Sequence, residues 1–266
     1  MTETKSKREK NIIDMMLSKT ESKTVDSETL LKTVQTRIHD SLKNGYRYEK
    51  VIDASEKFLR KHTFQTLEMA VLYVDLVGST KMSLELPPAK LSIVISSFVQ
   101  EMSYLIIQHD GFVLKFSGDA VIGYFVGKGS SLRAADDALG CAESMLKIVK
   151  NGINPILTKE KGFPNLKIKI GIDFGPATVV QYGADEKNSF VDLLGPSINM
   201  ASKIQSTAKQ NQIVVGHDVY ERIHPNLKEM FTEITNDLPN WTFTSKFSKK
   251  IYPVYSFKHL KNPKLK

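Results

Sequence analysis

The sequence predicts an α+β fold: a ferredoxin-like βαββαβ core with a mostly antiparallel sheet and extra C-terminal strands. Three observations carry this. MAVLYVDL at 69–76 is an unbroken apolar run, the signature of a strand covered on both faces. LPPAKLSIVISSFVQEMSYLIIQ repeats apolar residues every three or four positions, and GFVLKFSGDAVIGYF then reads as two strands about a tight turn. A second helical pattern, SSLRAADDALGCAESMLKIV, leads to the alternating stretch NLKIKIGIDFG.

Taken in order, residues 1–25 are polar and aperiodic and read as a disordered tail. Residues 26–66 form a helical segment. Leu31, Val34, Ile38 and Leu42 share one face, and YEKVIDASEKFLRKH suggests a second helix. This pair is too small for a core of its own and is expected to pack on the main domain or on a second copy. Residues 67–258 make the main domain. Its long helix starts at Pro87-Pro88 and stops at Gly111. NLKIKIGIDFG is expected to pair as a hairpin with PATVVQYG, and the helices are expected on one face of the sheet. FVDLLG, the helix PSINMASKIQSTAK, the short strand QIVVG, the helical stretch HDVYERIHPNLKEM and a last strand region in 241–255 complete the domain. Residues 259–266 are a basic tail.

Composition narrows the function classes. The net charge is +8, but residues 1–66 carry +4, residues 67–240 carry −3 and residues 241–266 carry +7. The body is thus slightly acidic, which speaks against nucleic acid as a partner. The basic end is either a solvated tail or a weak contact to an anionic surface. No apolar run approaches a membrane span, and the charged N-terminus is no secretory signal. A single cysteine, Cys141, sits in a helical pattern as a small core residue. A cytoplasmic protein is expected.

Two carboxylates stand out. Asp75 ends the run VLYV, and Asp119 lies in the turn FSGDAV. Each alone is explained by capping or turn chemistry. On neighbouring strands they could share one or two divalent cations. After Asp75, Leu76 leads to Gly78, Ser79 and Thr80, a turn able to cradle phosphates. Lys115 in FVLKFS and Asp192 in SFVDLLG are charges in apolar strands. By alternation Lys115 falls opposite the Phe112, Leu114 and Phe116 face. Asn199 and Lys203 share a helix flank.

VLYVDLVGST, LKFSGDAVIGYF, IGIDFGPATVVQYG and DLLGPSINMASKI, in this order, resemble the catalytic domain of class III nucleotidyl cyclases over about residues 67–258. The resemblance implies the class III cyclase fold. It implies that Asp75, Asp119 and the Leu76 carbonyl hold two Mg²⁺ or Mn²⁺ ions, and that Gly78, Ser79 and Thr80 receive the triphosphate. Lys115 and Asp192 match the base-reading positions in their adenylate form, and they speak against a pyrimidine. Asn199 matches the ribose-orienting asparagine. Lys203 stands where the family usually has arginine, keeping the charge without the bidentate fork. The family builds its site head to tail between two domains, so a homodimer acting on ATP is the expectation. A cyclase for GTP or a pyrimidine nucleotide, and a non-catalytic nucleotide-binding module, are the alternatives.

Overall fold

The computed structural model describes residues 27–44, 50–159, 162–185, 188–245 and 248–258. The two tails, 1–25 and 259–266, lie outside the described residues. In chain order the elements are α1 (Ser27–Asn44), α2 (Asp53–Lys61), β1 (Thr66–Leu76), α3 (Ser79–Glu85), α4 (Pro88–Gln108), β2 (Phe112–Ser117), β3 (Ala120–Phe125) and α5 (Ser131–Ile148). There follow α6 (Asn154–Leu157), β4 (Ile168–Tyr182), β5 (Phe190–Leu194), α7 (Pro196–Thr207), β6 (Gln212–Gly216), α8 (His217–Tyr220), α9 (Pro225–Lys228), β7 (Phe231–Glu233) and β8 (Val254–Phe257).

The sheet runs β2-β3-β1-β4-β6-β8-β7, with β5 paired to the far end of β4. Its first four strands have the ferredoxin-like order. All pairs are antiparallel except β4 with β6. The central strand β1 shows why its sequence is apolar without alternation. Ala70, Leu72, Val74 and Leu76 face one cluster with α4 and α5, while Met69 and Val71 face a second. That second cluster contains Leu59 of α2 and Ile198 and Ala201 of α7. Helices therefore cover both faces, correcting the one-face expectation: α7 has its own apolar stripe and needs a sheet surface to bury it.

Two further expectations are corrected. The stretch 168–182 is one strand, not a hairpin; it pairs antiparallel with β1 along 168–178 and with β5 along 178–182. Pro176 is tolerated because β4 changes neighbours there. β6 pairs with 169–172 and β5 with 178–182, so proline falls in the gap between them. The strand β7, not foreseen, pairs with β8.

The N-terminal helices pack on the body. Val34 and Ile38 of α1 join the main cluster, and Gly152 lies against Val34 and Leu31. Glu101 of α4 is buried at 1% exposure and is held by the Arg37 guanidinium, Nε to Oε1 at 2.8 Å. Arg60 of α2 donates to the Ser189 carbonyl at 2.7 Å, fastening α2 to the loop before β5. By length and apolarity α4 does qualify as a membrane span, against the expectation from apolar runs. Its Val94, Phe98, Met102, Leu105 and Ile106 are nevertheless buried in the domain core.

Candidate active site

Asp75 lies next to the last residue of β1, opposite Lys169 of β4. Asp119 lies in the two-residue turn joining β2 and β3, where Gly118 takes φ +64°, as a hairpin turn this short requires. Because β3 pairs with β1, with Val121 opposite Val74, the turn sets Asp119 beside Asp75. Asp75 is pushed above its ordinary value, by burial first and by the Asp119 charge second. The Gln205 amide opposes this, with Nε2 donating to Asp75 Oδ2 at 3.2 Å. Asp119 Oδ2 is buried with no hydrogen-bond partner among the described residues. An orphaned carboxylate oxygen against a second carboxylate is the donor set a hard divalent cation takes, all oxygen and negatively charged. The residues present thus fit Mg²⁺ or Mn²⁺. No third acidic, histidine or cysteine side chain joins them among the described residues. Beyond β1, Gly78 adopts φ +78° and opens α3, so Gly78, Ser79 and Thr80 form the turn that follows Asp75.

A second cluster forms elsewhere. Lys115 Nζ contacts Asp192 Oδ2 at 2.5 Å, although 77 residues separate them. Alternation put Lys115 on the wrong face. A β-bulge between Val113 and Lys115 shifts the register, so Lys115 opposes Ile122, just as Phe112 opposes Tyr124. Directly opposed residues share a face, and Lys115 therefore joins the side of Phe112 and Tyr124. Asp192 Oδ2 also accepts from Tyr182 Oη at 3.2 Å, and Oδ1 accepts from the Leu193 amide at 2.8 Å. A cavity of about 820 Å³ adjoins this pair, with Ile52, Leu59, Tyr182 and Phe190 in its walls.

Asn199 and Lys203 are exposed on one flank of α7, and Lys203 borders a cavity of about 410 Å³ with Thr207, Trp241 and Phe243. Gln205 lies two residues beyond Lys203, about 200° around the helix, and is buried. Among the described residues no hydrogen bond or ion pair joins the Asp75–Asp119 pair, the Lys115–Asp192 pair and the Asn199–Lys203 flank to one another. Sequence reasoning missed Gln205 and Tyr182. The signal for Gln205 was available: it follows Ala201 by four, a polar residue on the inward stripe.

This sheet order is the catalytic-domain fold of the nucleotidyl cyclases. Residues 62–238 match the model of the adenylate and guanylate cyclase catalytic domain, and the chain belongs to that family. It is 30% identical over 186 residues to a cytidylate cyclase of Staphylococcus aureus, covering 66% of this chain and 43% of that protein. It is 29% identical over 156 residues to an adenylate cyclase of Mycobacterium tuberculosis, covering 59% of this chain and 33% of that one. The chain therefore spans less than half the length of these curated relatives. The adenylyl cyclase CyaB of P. aeruginosa has the same fold, with a TM-score of 0.61 at 23% identity over 74% of this chain and 97% of that one.

Proposed function

We propose that the chain is a homodimeric adenylate cyclase, converting ATP to 3′,5′-cyclic AMP and pyrophosphate. The observation that carries it is the Lys115–Asp192 contact, which sets a donor beside an acceptor at one point. Adenine presents the complement on adjacent atoms, an acceptor ring nitrogen next to an amine. In this reading the ribose 3′-oxygen attacks the α-phosphorus, the bond to the β-phosphate breaks, pyrophosphate leaves and the hydroxyl proton goes to solvent.

Divalent ions at Asp75, Asp119 and the Leu76 carbonyl, when bound, supply acidification of the 3′-hydroxyl and neutralisation of phosphate charge. The turn Gly78-Ser79-Thr80 receives the triphosphate through backbone N–H groups. Asn199 orients the ribose. Lys203 places positive charge where the reacting phosphate gains negative charge. One protomer offers the aspartates and its partner offers Lys115, Asp192, Asn199 and Lys203. The separation of these groups within one chain supports such a head-to-tail pairing.

A second reading is cytidylate cyclase, favoured by the similarity to proteins of that name in Escherichia coli and Staphylococcus aureus. Cytosine also places an acceptor nitrogen beside an amine, so Lys115 and Asp192 do not exclude it, contrary to the sequence expectation. Guanine and uracil present the reverse pattern. The test is incubation of the purified chain with Mn²⁺ and each of ATP, GTP, CTP and UTP, resolving products by mass. Cyclic AMP is expected, and Asp75→Ala should abolish it. Cyclic CMP would favour the second reading. Product from GTP or UTP alone would overturn the base assignment, and nucleotide binding without product would indicate a non-catalytic module.

A further inference from the structure

The helix α7 carries Asn199 and Lys203 on one flank, yet its sheet side reaches the acidic pair. Gln205, buried at 9% exposure, donates to Asp75 Oδ2. Its reach depends on a notch in β4. A Cβ on Gly171 would lie 2.3 Å from the Gln205 nitrogen, 2.5 Å from its Cα and 2.6 Å from the Ala201 carbonyl oxygen. Gly171 stands opposite Tyr73, two residues before Asp75 on β1. The helix backbone thus lies tight against the sheet beside the carboxylate that Gln205 touches.

A glutamine at an inward position would be expected to cost free energy unless its amide were paired. Here its partner is one oxygen of Asp75, while the neighbouring Asp119 keeps an oxygen without a partner. This is the arrangement of a metal ligand whose orientation is set by an outer hydrogen bond. The amide holds one lone pair of Asp75, fixing the plane of the carboxylate. Asp75 is also bonded by the Leu76 amide and meets the Asp119 carboxyl, and the unpartnered Oδ2 of Asp119 is left to a cation.

We propose that Gln205 is a positioning residue that orients Asp75 for its metal, with Gly171 as the notch that brings it within reach. The proposal rests on the metal reading of Asp75 and Asp119 given above. It also gives α7 two duties: it holds its own protomer's acidic pair on one side and offers Asn199 and Lys203 to the partner on the other.

The test is Mn²⁺ binding to the full chain, read from the electron paramagnetic resonance signal of free aquo Mn²⁺, together with the Mn²⁺ dependence of cyclic nucleotide formation. Gln205→Leu keeps the volume and removes the donor. Gln205→Asn keeps the amide but shortens its reach. Both should bind Mn²⁺ about 10- to 100-fold more weakly. Turnover should return to within about threefold of the parent at saturating Mn²⁺, a rescue that a merely structural lesion would not show. Parent-like Mn²⁺ affinity in both variants overturns the proposal, as does a loss of turnover that Mn²⁺ fails to restore. Asp75→Ala separates the two levels. If it leaves Mn²⁺ binding unchanged, the metal reading itself falls. If it abolishes binding while Gln205→Leu does not weaken it, only the role of Gln205 falls.

Discussion

Replacing Gly171 with alanine inserts one methyl group between β4 and α7, and the structure allows its effect to be worked out. The new carbon would sit 2.3–2.6 Å from three backbone atoms of α7. Comfortable contact between such atoms needs about 3.5 Å, so the helix must move by about 1 Å. No flexible side chain can absorb this, because all three atoms are backbone. Overpacking of this kind costs about 1–3 kcal/mol, a fall in melting temperature of roughly 3–10 °C for a chain of this size. The larger effect is on chemistry. The proposed site residues Asn199 and Lys203 and the proposed positioning residue Gln205 all ride on α7, and a 1 Å misplacement of reacting groups costs about 10²-fold in rate. The assay is cyclic nucleotide formation at saturating Mn²⁺ and substrate, beside a thermal melt. Gly129→Ala is the control. Gly129 has φ +90° and no atom within 4 Å of the added carbon, so strain there lowers stability by about 1–2 kcal/mol without moving α7. If Gly171→Ala turns over at the parent rate, the helix does not set the site and the reasoning fails.

Other outcomes follow from buried charge and from the site. Arg37→Leu leaves Glu101 buried without its cation and should cost about 3–5 kcal/mol in urea unfolding, most of it recovered in the double variant with Glu101→Leu. Burial pushes the Asp173 carboxyl well above its ordinary value, against the hydrogen bond from Tyr252 Oη at 2.7 Å. Its folded pKa is thus raised, so the native state holds a proton that the unfolded chain has lost. This group's contribution to stability is full below the unfolded value near 4 and is lost as pH rises from there through the raised folded value. Asp173→Asn should flatten that fall and raise the melting temperature near neutral pH. Lys203→Arg restores a bidentate fork and should raise kcat about tenfold. An unchanged or lower kcat would show a site adapted to lysine.

What the sequence determined by itself is what depends on neighbours along the chain. The apolar run 69–76 reads as a strand buried on both faces, and the three-and-four spacing of Val94, Phe98, Met102 and Leu105 reads as one side of a helix, and both form as read. Asp75 and Asp119 were conspicuous because each interrupts an apolar texture where burial penalises a carboxylate. What the tertiary structure decided depends on pairing between distant segments. The bulge that turns Lys115 toward Asp192 leaves no mark in the alternation of FVLKFS, because register is set by the partner strand. Pro176 reads as a break, yet β4 runs through it, since the strand beside it changes at that residue. Gln205 meets Asp75 from 130 residues away only because Gly171 lets a helix lie close on a sheet. Periodicity records which side of an element is apolar. It does not record which element arrives to cover that side, and here the covering elements carry the candidate site.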